Sequence, residues 1–340
     1  MNHLPSESRP HERTFLGWPP AGSVWGRSTA AVREDVAALA RTIGEYEPVV
    51  LLASPEDAAD AGRACGAAAA VLPVPVDDLW LRDTGPVFVT GEDGGLRGVD
   101  FRFNGWGGKQ EHARDGLVAS RLLDHFGIPR VESPVVAEGG SLETDGAGTL
   151  LATESSLVND NRNPGLTRDA VERALTALLG LRKVIWLEGV RGEDVTDCHV
   201  DALARFAGPA TVLLSRPPAD ARPDVWTRVY ERARTALEAA TDADGRALEV
   251  IDLPEPDPAA LGDRGPDFLG SYVNYYLAGG AGGSGGAVIV PRFGDRRADD
   301  EAAALLGALH PGREVRTVAV PTLAEGGGGI HCATQQQPAS

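Results

Sequence analysis

Five residues in four short motifs of this 340-residue chain have the types needed to work on a flat cation. They are Asp83 in WLRDTGP, Glu138 in EGGS, His199 and Asp201 in DCHVD, and Cys332 in GGGGIHC. A thiolate is a nucleophile, and an imidazole moves protons near neutral pH. Spaced carboxylates hold a cation, and a guanidinium offers planar N–H donors that suit two carboxylates at once. Removing a guanidinium from water without such partners is costly. Three carboxylates, one histidine and one thiol therefore fit attack on a guanidinium carbon. If HVD is a strand, His199 and Asp201 share one face, because strand side chains alternate.

These motifs occupy equivalent places in a recurring unit of strand, strand, helix, strand. Asp83 follows VLPVPV, Glu138 follows the strand near Val131–Val136, His199 follows KVIWL, and Cys332 follows VRTVAVP. One unit runs from PVFVT through LRGVDFRF and a helix around Gly116–Phe126. A second has SLET and TLLATES as a hairpin, then LTRDAVERALTALLG and KVIWL. In that segment Leu166, Val171, Leu175 and Leu178–Leu179 fall roughly on one face at helical spacing, Asn163-Pro164-Gly165 breaks the chain before it, and Gly180 stops it. A third uses HVDALARF, ATVLLSR, a helix over Pro223–Ala240 and RALEVIDL. A fourth uses YVNYYLA, AVIVPRF, a helix near Asp299–Leu309 and EVRTVAV, with Gly279–Gly286 as its hairpin loop. Only EVIDLPEPDP leads into a longer loop without pointed chemistry.

The remaining pieces complete a fifth unit: CATQQQ, ERTFLGW, the helix Thr29–Tyr46 and PVVLLAS, with an extra helix at Pro55–Ala69. Such units cannot bury a sheet face alone, so the expectation is an α/β fold of five ββαβ units packed around one axis. Residues 1–340 then form a single domain closed by both chain ends. Radial packing brings the loops after the closing strands to one end of the axis, with Cys332 at the rim of the last strand.

Composition narrows the function classes. The net charge of −17 opposes nucleic acid and suits a cationic small substrate, or simply keeps the protein dissolved. No apolar run has the length of a signal peptide core or a membrane span, which points to the cytoplasm. Cys65, Cys198 and Cys332 form no CxxC pair, as expected of a reducing compartment.

The stretches WLRDTGPVFV, DFRFNGWGGK, EGGSLETDGAGTLLATESSLVNDNRNPG, DCHVDALARF and GGGGIHCATQQQP resemble the agmatine deiminases, within the peptidylarginine-deiminase-like guanidino-modifying enzymes. The resemblance implies a five-bladed α/β propeller, no metal and no organic cofactor. It matches Cys332 to the nucleophile, His199 to the general acid/base, and Asp83 and Asp201 to the guanidinium-binding carboxylates. Glu138 matches a glutamate touching both guanidinium and histidine, and Trp80 a tryptophan lining the substrate channel. The implied substrate is agmatine, and the implied products are N-carbamoylputrescine and ammonia. A homo-oligomer is compatible with the family. Alternatives are deimination of another small guanidine or of peptidyl-arginine, and cysteine-dependent amidino transfer. The family commonly has Gly where this chain has Cys198.

Other residues read as structural. Cys65 and Cys198 suit packing, and His331 should point away from Cys332 on an extended backbone. Arg82 pairs with an acid, while Glu143 and Asp145 at a hairpin turn should be solvated. The glycine run lacks the marks of a phosphate loop. A zinc site from Cys198, His199, His331 and Cys332 would lack the usual ligand spacing.

Overall fold

An antiparallel strand pair closes with a short turn, whereas a parallel third strand needs a long crossover. The chain repeats this order. The computed structural model describes residues 2–218, 223–279 and 285–339. Three sheets join Val87–Thr90, Leu96–Asp100 and Arg130–Glu132; Glu143–Thr144, Thr149–Thr153 and Lys183–Leu187; and Ala204–Gly208, Thr211–Arg216 and Glu249–Pro254. A fourth joins Tyr276–Ala278, Ala287–Arg292 and Glu314–Ala319. In each, the first two strands are antiparallel and the third runs parallel to the second.

The fifth sheet joins the two ends of the chain. Thr334–Pro338 pairs antiparallel with His11–Gly17, which pairs parallel with Val49–Leu52 and through it with Ala70–Leu72. The crossover helix is Thr29–Ile43, and the helix Ala58–Cys65 precedes the additional strand. Five ββαβ sheets thus form the pentein-type α/β propeller. Residues 280–284 of the glycine-rich Gly279–Gly286 segment lie outside the described residues, but Ala278 pairs with Ala287 on either side of it. Among the described residues no helix is long and apolar enough to cross a membrane.

Apolar contacts sit within and between neighbouring units. One buried cluster joins Leu151 and Leu187 of one sheet to Phe206 and Leu214 of the next. The helix Arg168–Leu179 shows how local signals serve this packing. Thr167 caps it by accepting from Ala170 N, Val171, Leu175 and Leu179 bury one stripe, and Gly180 ends it at φ 72°. An Ala Cβ at Gly180 would fall 1.7 Å from the carbonyl oxygen of Asn2.

The axis itself is filled by charge. Glu7 Oε1 meets Arg205 Nη2 at 3.0 Å, while Glu7 Oε2 meets Arg82 Nη2 at 3.1 Å and His331 Nε2 at 2.9 Å. Arg82 therefore pairs with an acid, but one from the N-terminal segment. Glu143 is a correction: it is buried, accepting from Phe206 N at 3.0 Å and Arg205 Nε at 3.3 Å. Its short strand faces the next blade rather than solvent. Asp145 is partly exposed and accepts from Ala147 N and Thr149 N in the turn.

Leu175 is fully buried between its helix and the neighbouring sheets. Leu175→Ala is expected to lower unfolding free energy by about 2–5 kcal/mol, read from chemical denaturation. Thr167→Ala should cost about 1 kcal/mol in the same assay.

Candidate active site

One tight turn precedes the first strand of every sheet. The five are Leu81–Thr84, Gly139–Ser141, Val200–Leu203, the turn closed by Asn274 N→Ser271 O, and Ile330–Ala333. This repeated turn brings Asp83, Glu138, His199, Asp201 and Cys332 together. His199 and Asp201 are not on a strand as the spacing suggested. His199 is the N-cap of its turn at φ −61° and ψ 140°, and the strand begins only at Ala204. The helical turn brings both side chains to the site instead.

His199 lies between two carboxylates. Its Nε2 is 3.4 Å from Glu138 Oε2, and its Nδ1 is 3.7 Å from Asp83 Oδ2. Asp83 is oriented by Gly140 N at 3.0 Å and by Trp106 Nε1 at 2.9 Å. Arg162 Nε donates to Glu138 Oε1 at 2.7 Å and its Nη1 to Asp197 Oδ2 at 2.7 Å. Asp201 Oδ2 meets His331 Nδ1 at 2.7 Å and Cys332 Sγ at 3.5 Å. Its Oδ1 is buried without a hydrogen-bond partner, as is His199 Nδ1.

Asn274, fully buried, holds the thiol's turn. Its Nδ2 donates to Cys332 Sγ at 3.2 Å, and its Oδ1 accepts from His331 N at 3.0 Å and Cys332 N at 3.2 Å. His331 corrects the extended-backbone expectation. Ile330–Ala333 is a helical turn, so its ring reaches Asp201 on one side and Glu7 on the other.

The charges interlock. Burial disfavours the cationic form of His199, but the carboxylates of Asp83, Glu138 and Asp201 outweigh it and raise the ring to about 9. Burial likewise opposes ionisation of Glu138, yet Arg162 and His199 hold it below the usual carboxylate range. Burial opposes ionisation of Asp201 as well, and the bonded His331 ring pulls it down. Asp83 is raised, by burial first. Cys332 is pushed well above the ordinary thiol range by burial and then by the Asp201 and Asp83 carboxylates. These residues by themselves therefore hold a neutral thiol beside an imidazolium.

EGGS has a steric reason. An added Cβ on Gly140 would fall 2.7 Å from His199 Nδ1 and 2.9 Å from Asp83 Oδ1, and one on Gly139 would fall 2.1 Å from Arg82 O. The later glycine run crowds protein rather than open space: a Cβ on Gly328 would fall 2.3 Å from the Trp80 ring. Cys198 is buried with φ 69°, a left-handed conformation that costs a non-glycine residue energy and that a glycine adopts freely. Its thiol packs in the cluster containing Leu151 and Leu203, and burial raises it to about 12.

A cavity of about 940 Å³ leads to this cluster, with Trp80, Trp106 and His199 on its wall. Cys332 is half-buried and is not part of that wall. Among the described residues no group of three or more His, Cys, Asp or Glu side chains could hold a metal ion. The long loop after Glu249–Pro254, without pointed chemistry in the sequence, supplies much of the rim through Arg264, Asp267 and Phe268. Sequence reasoning also passed over Arg162, Asn274 and Trp106 as site residues. Trp106 had a visible signal, since glycines bracket it in NGWGGK and it adopts φ 53°. Asn274, buried within an apolar-looking strand segment, had none.

The sequence model of the Porphyromonas-type peptidyl-arginine deiminases matches residues 3–338. Agmatine deiminase of Medicago truncatula is 35% identical, covering 99% of this chain and 96% of its own. That of Stutzerimonas stutzeri is 38% identical, covering 99% and 95%. A solved structure of the Enterococcus faecalis agmatine deiminase aligns with a TM-score of 0.90 at 29% identity, over 99% of this chain and 96% of that one. With its five turns gathered on one axis and its match running nearly end to end, the chain belongs to the Porphyromonas-type peptidyl-arginine deiminase family.

Proposed function

We propose that this chain is a hydrolase that deiminates agmatine to N-carbamoylputrescine and ammonia. The observation that carries the reading is the buried ring of Asp83, Glu138 and Asp201 around His199 and Cys332. Asp201 Oδ1 awaits a donor, and a guanidinium N–H supplies one. Asp83 and Asp201 hold the guanidinium, with Glu138 between it and His199. Trp80 lines the approach. The five units work as one catalytic domain in the cytoplasm, and no cofactor takes part in these steps.

Binding also prepares the nucleophile. A cation about 4 Å from Sγ contributes about 4 kcal/mol at an effective dielectric near 20. That is about a thousandfold in the thiol's ionisation equilibrium. The Cys332 proton passes to solvent, because His199 already carries one, and Sγ bonds to the guanidinium carbon. His199 protonates one amino nitrogen, the C–N bond breaks and ammonia departs, leaving an S-alkylthiouronium. Water then attacks the same carbon as His199 takes its proton. The hydroxyl proton passes to sulfur as the C–S bond breaks, releasing the ureido product and restoring the thiol. Hydrolysis differs from amidino transfer in its products, a ureido compound plus ammonia rather than a new guanidine.

A panel of agmatine, free arginine and a blocked peptidyl-arginine, scored for ammonia and ureido product, tests the substrate. Agmatine is expected to turn over best; turnover of another guanidine without agmatine would overturn the assignment. Cys332→Ser should reduce turnover by about a thousandfold or more. The sign of the pH dependence follows from the raised Cys332 and the His199 value of about 9. Below pH 9 the reactive thiolate–imidazolium form is scarce and grows as pH rises. Thus kcat/KM should climb from pH 7 toward 9, and ultraviolet thiolate absorbance should appear at lower pH when an unreactive guanidinium fills the site.

A further inference from the structure

The cavity leading to His199 is rich in carboxylates, and most are already engaged. Asp78 accepts from Trp25 Nε1 at 2.8 Å and Gln110 Nε2 at 3.0 Å. Glu325 pairs with Arg264 at 3.3 Å and accepts from Gly265 N at 3.0 Å. Asp194 accepts from Cys198 N at 3.0 Å and Thr196 Oγ1 at 2.9 Å. Asp224 caps the helix Val225–Glu238.

Glu255 differs. Its Oε1 accepts from Ser215 Oγ at 2.8 Å, and no cation among the described residues pairs with it. It is half-buried on the cavity wall. Ser215 Oγ lies 3.0 Å from Ser271 Oγ, which donates to Ala202 O at 2.8 Å. These contacts run from Glu255 to the turn that carries His199 and Asp201. Burial raises the carboxyl to about 7, against the Ser215 hydrogen bond, and a cation beside it would favour the ionised form. The wall offers a carboxylate ligand nothing comparable. Arg264 is the one Arg or Lys on it among the described residues, and it already meets Glu325 and lies 5.2 Å from the Phe268 ring centre.

We propose that Glu255 receives a second positive charge at the far end of the substrate, so that the site selects guanidines ending in an amine over those ending in an alkyl group or a carboxylate. The inference rests on the guanidine-hydrolysis reading above and adds to it the residue that recognises the tail.

The test compares agmatine with butylguanidine, which keeps the guanidinium and the four-carbon chain but lacks the amine, in the wild-type protein and in Glu255→Gln. Wild type should favour agmatine in kcat/KM. Glu255→Gln should raise KM for agmatine about 10- to 100-fold with kcat nearly unchanged, and leave butylguanidine kinetics as they were. Butylguanidine turnover by the variant also reports that the fold and the Cys332 chemistry are intact. An equal loss on both substrates, or no change on either, overturns the role of Glu255. Wild-type turnover of both guanidines at equal kcat/KM also overturns it while leaving hydrolysis standing. Turnover of neither by wild type would sink the hydrolysis reading itself.

Discussion

The ring turns on Glu7. Five blades leave an axis where turns converge, and here that axis is packed with ions rather than aliphatic side chains. One N-terminal carboxylate touches Arg82 beside the Asp83 turn, Arg205 on the strand after Asp201, and His331 beside Cys332. Burial raises Glu7's cost of ionising, yet Arg205 and its other partners hold it well below the usual carboxylate range. Removing one member of so buried a network would leave its partners charged and unpaired, which is far costlier than losing a surface pair. The axis is therefore held by mutual constraint among blades that are distant in sequence.

The same constraint reaches the chemistry. From Glu7 a line of contacts runs through His331 to Asp201 and on to Cys332. On the other side Arg162 fixes Glu138, and Trp106 fixes Asp83. Each carboxylate thus has at least one neighbour that sets its direction before a ligand arrives. Preorganised charges of this kind act without reorganising during reaction. They also leave the site short of positive charge, and the proposed guanidinium supplies it.

Much of the ring was legible because its signals are local. The strand pattern, the Gly180 helix stop, and the equivalent positions of DTGP, EGGS, CHVD and IHC all survive in three dimensions. What failed was conformation at the motifs themselves. HVD and IHC carry residues that suit strands, but each forms a helical turn whose backbone is held by its neighbours, Asn274 in the case of IHC. Glu143 looked solvated because a hairpin usually is; its partner Arg205 lies 62 residues away, beyond any local pattern. Asn274 acts across 58 residues and Arg162 across 24 and 35, also beyond any local pattern. The loop carrying Glu255 looked featureless because its role lies in the cavity it borders.

The resting state of Cys332 has a further consequence. Oxidants and alkylating electrophiles attack thiolates far faster than thiols. A thiol held neutral by burial and by facing carboxylates is a poor target. In the proposed reaction, vulnerability and reactivity appear together, once the cation is bound. Between turnovers the proposed nucleophile is shielded by its own proton.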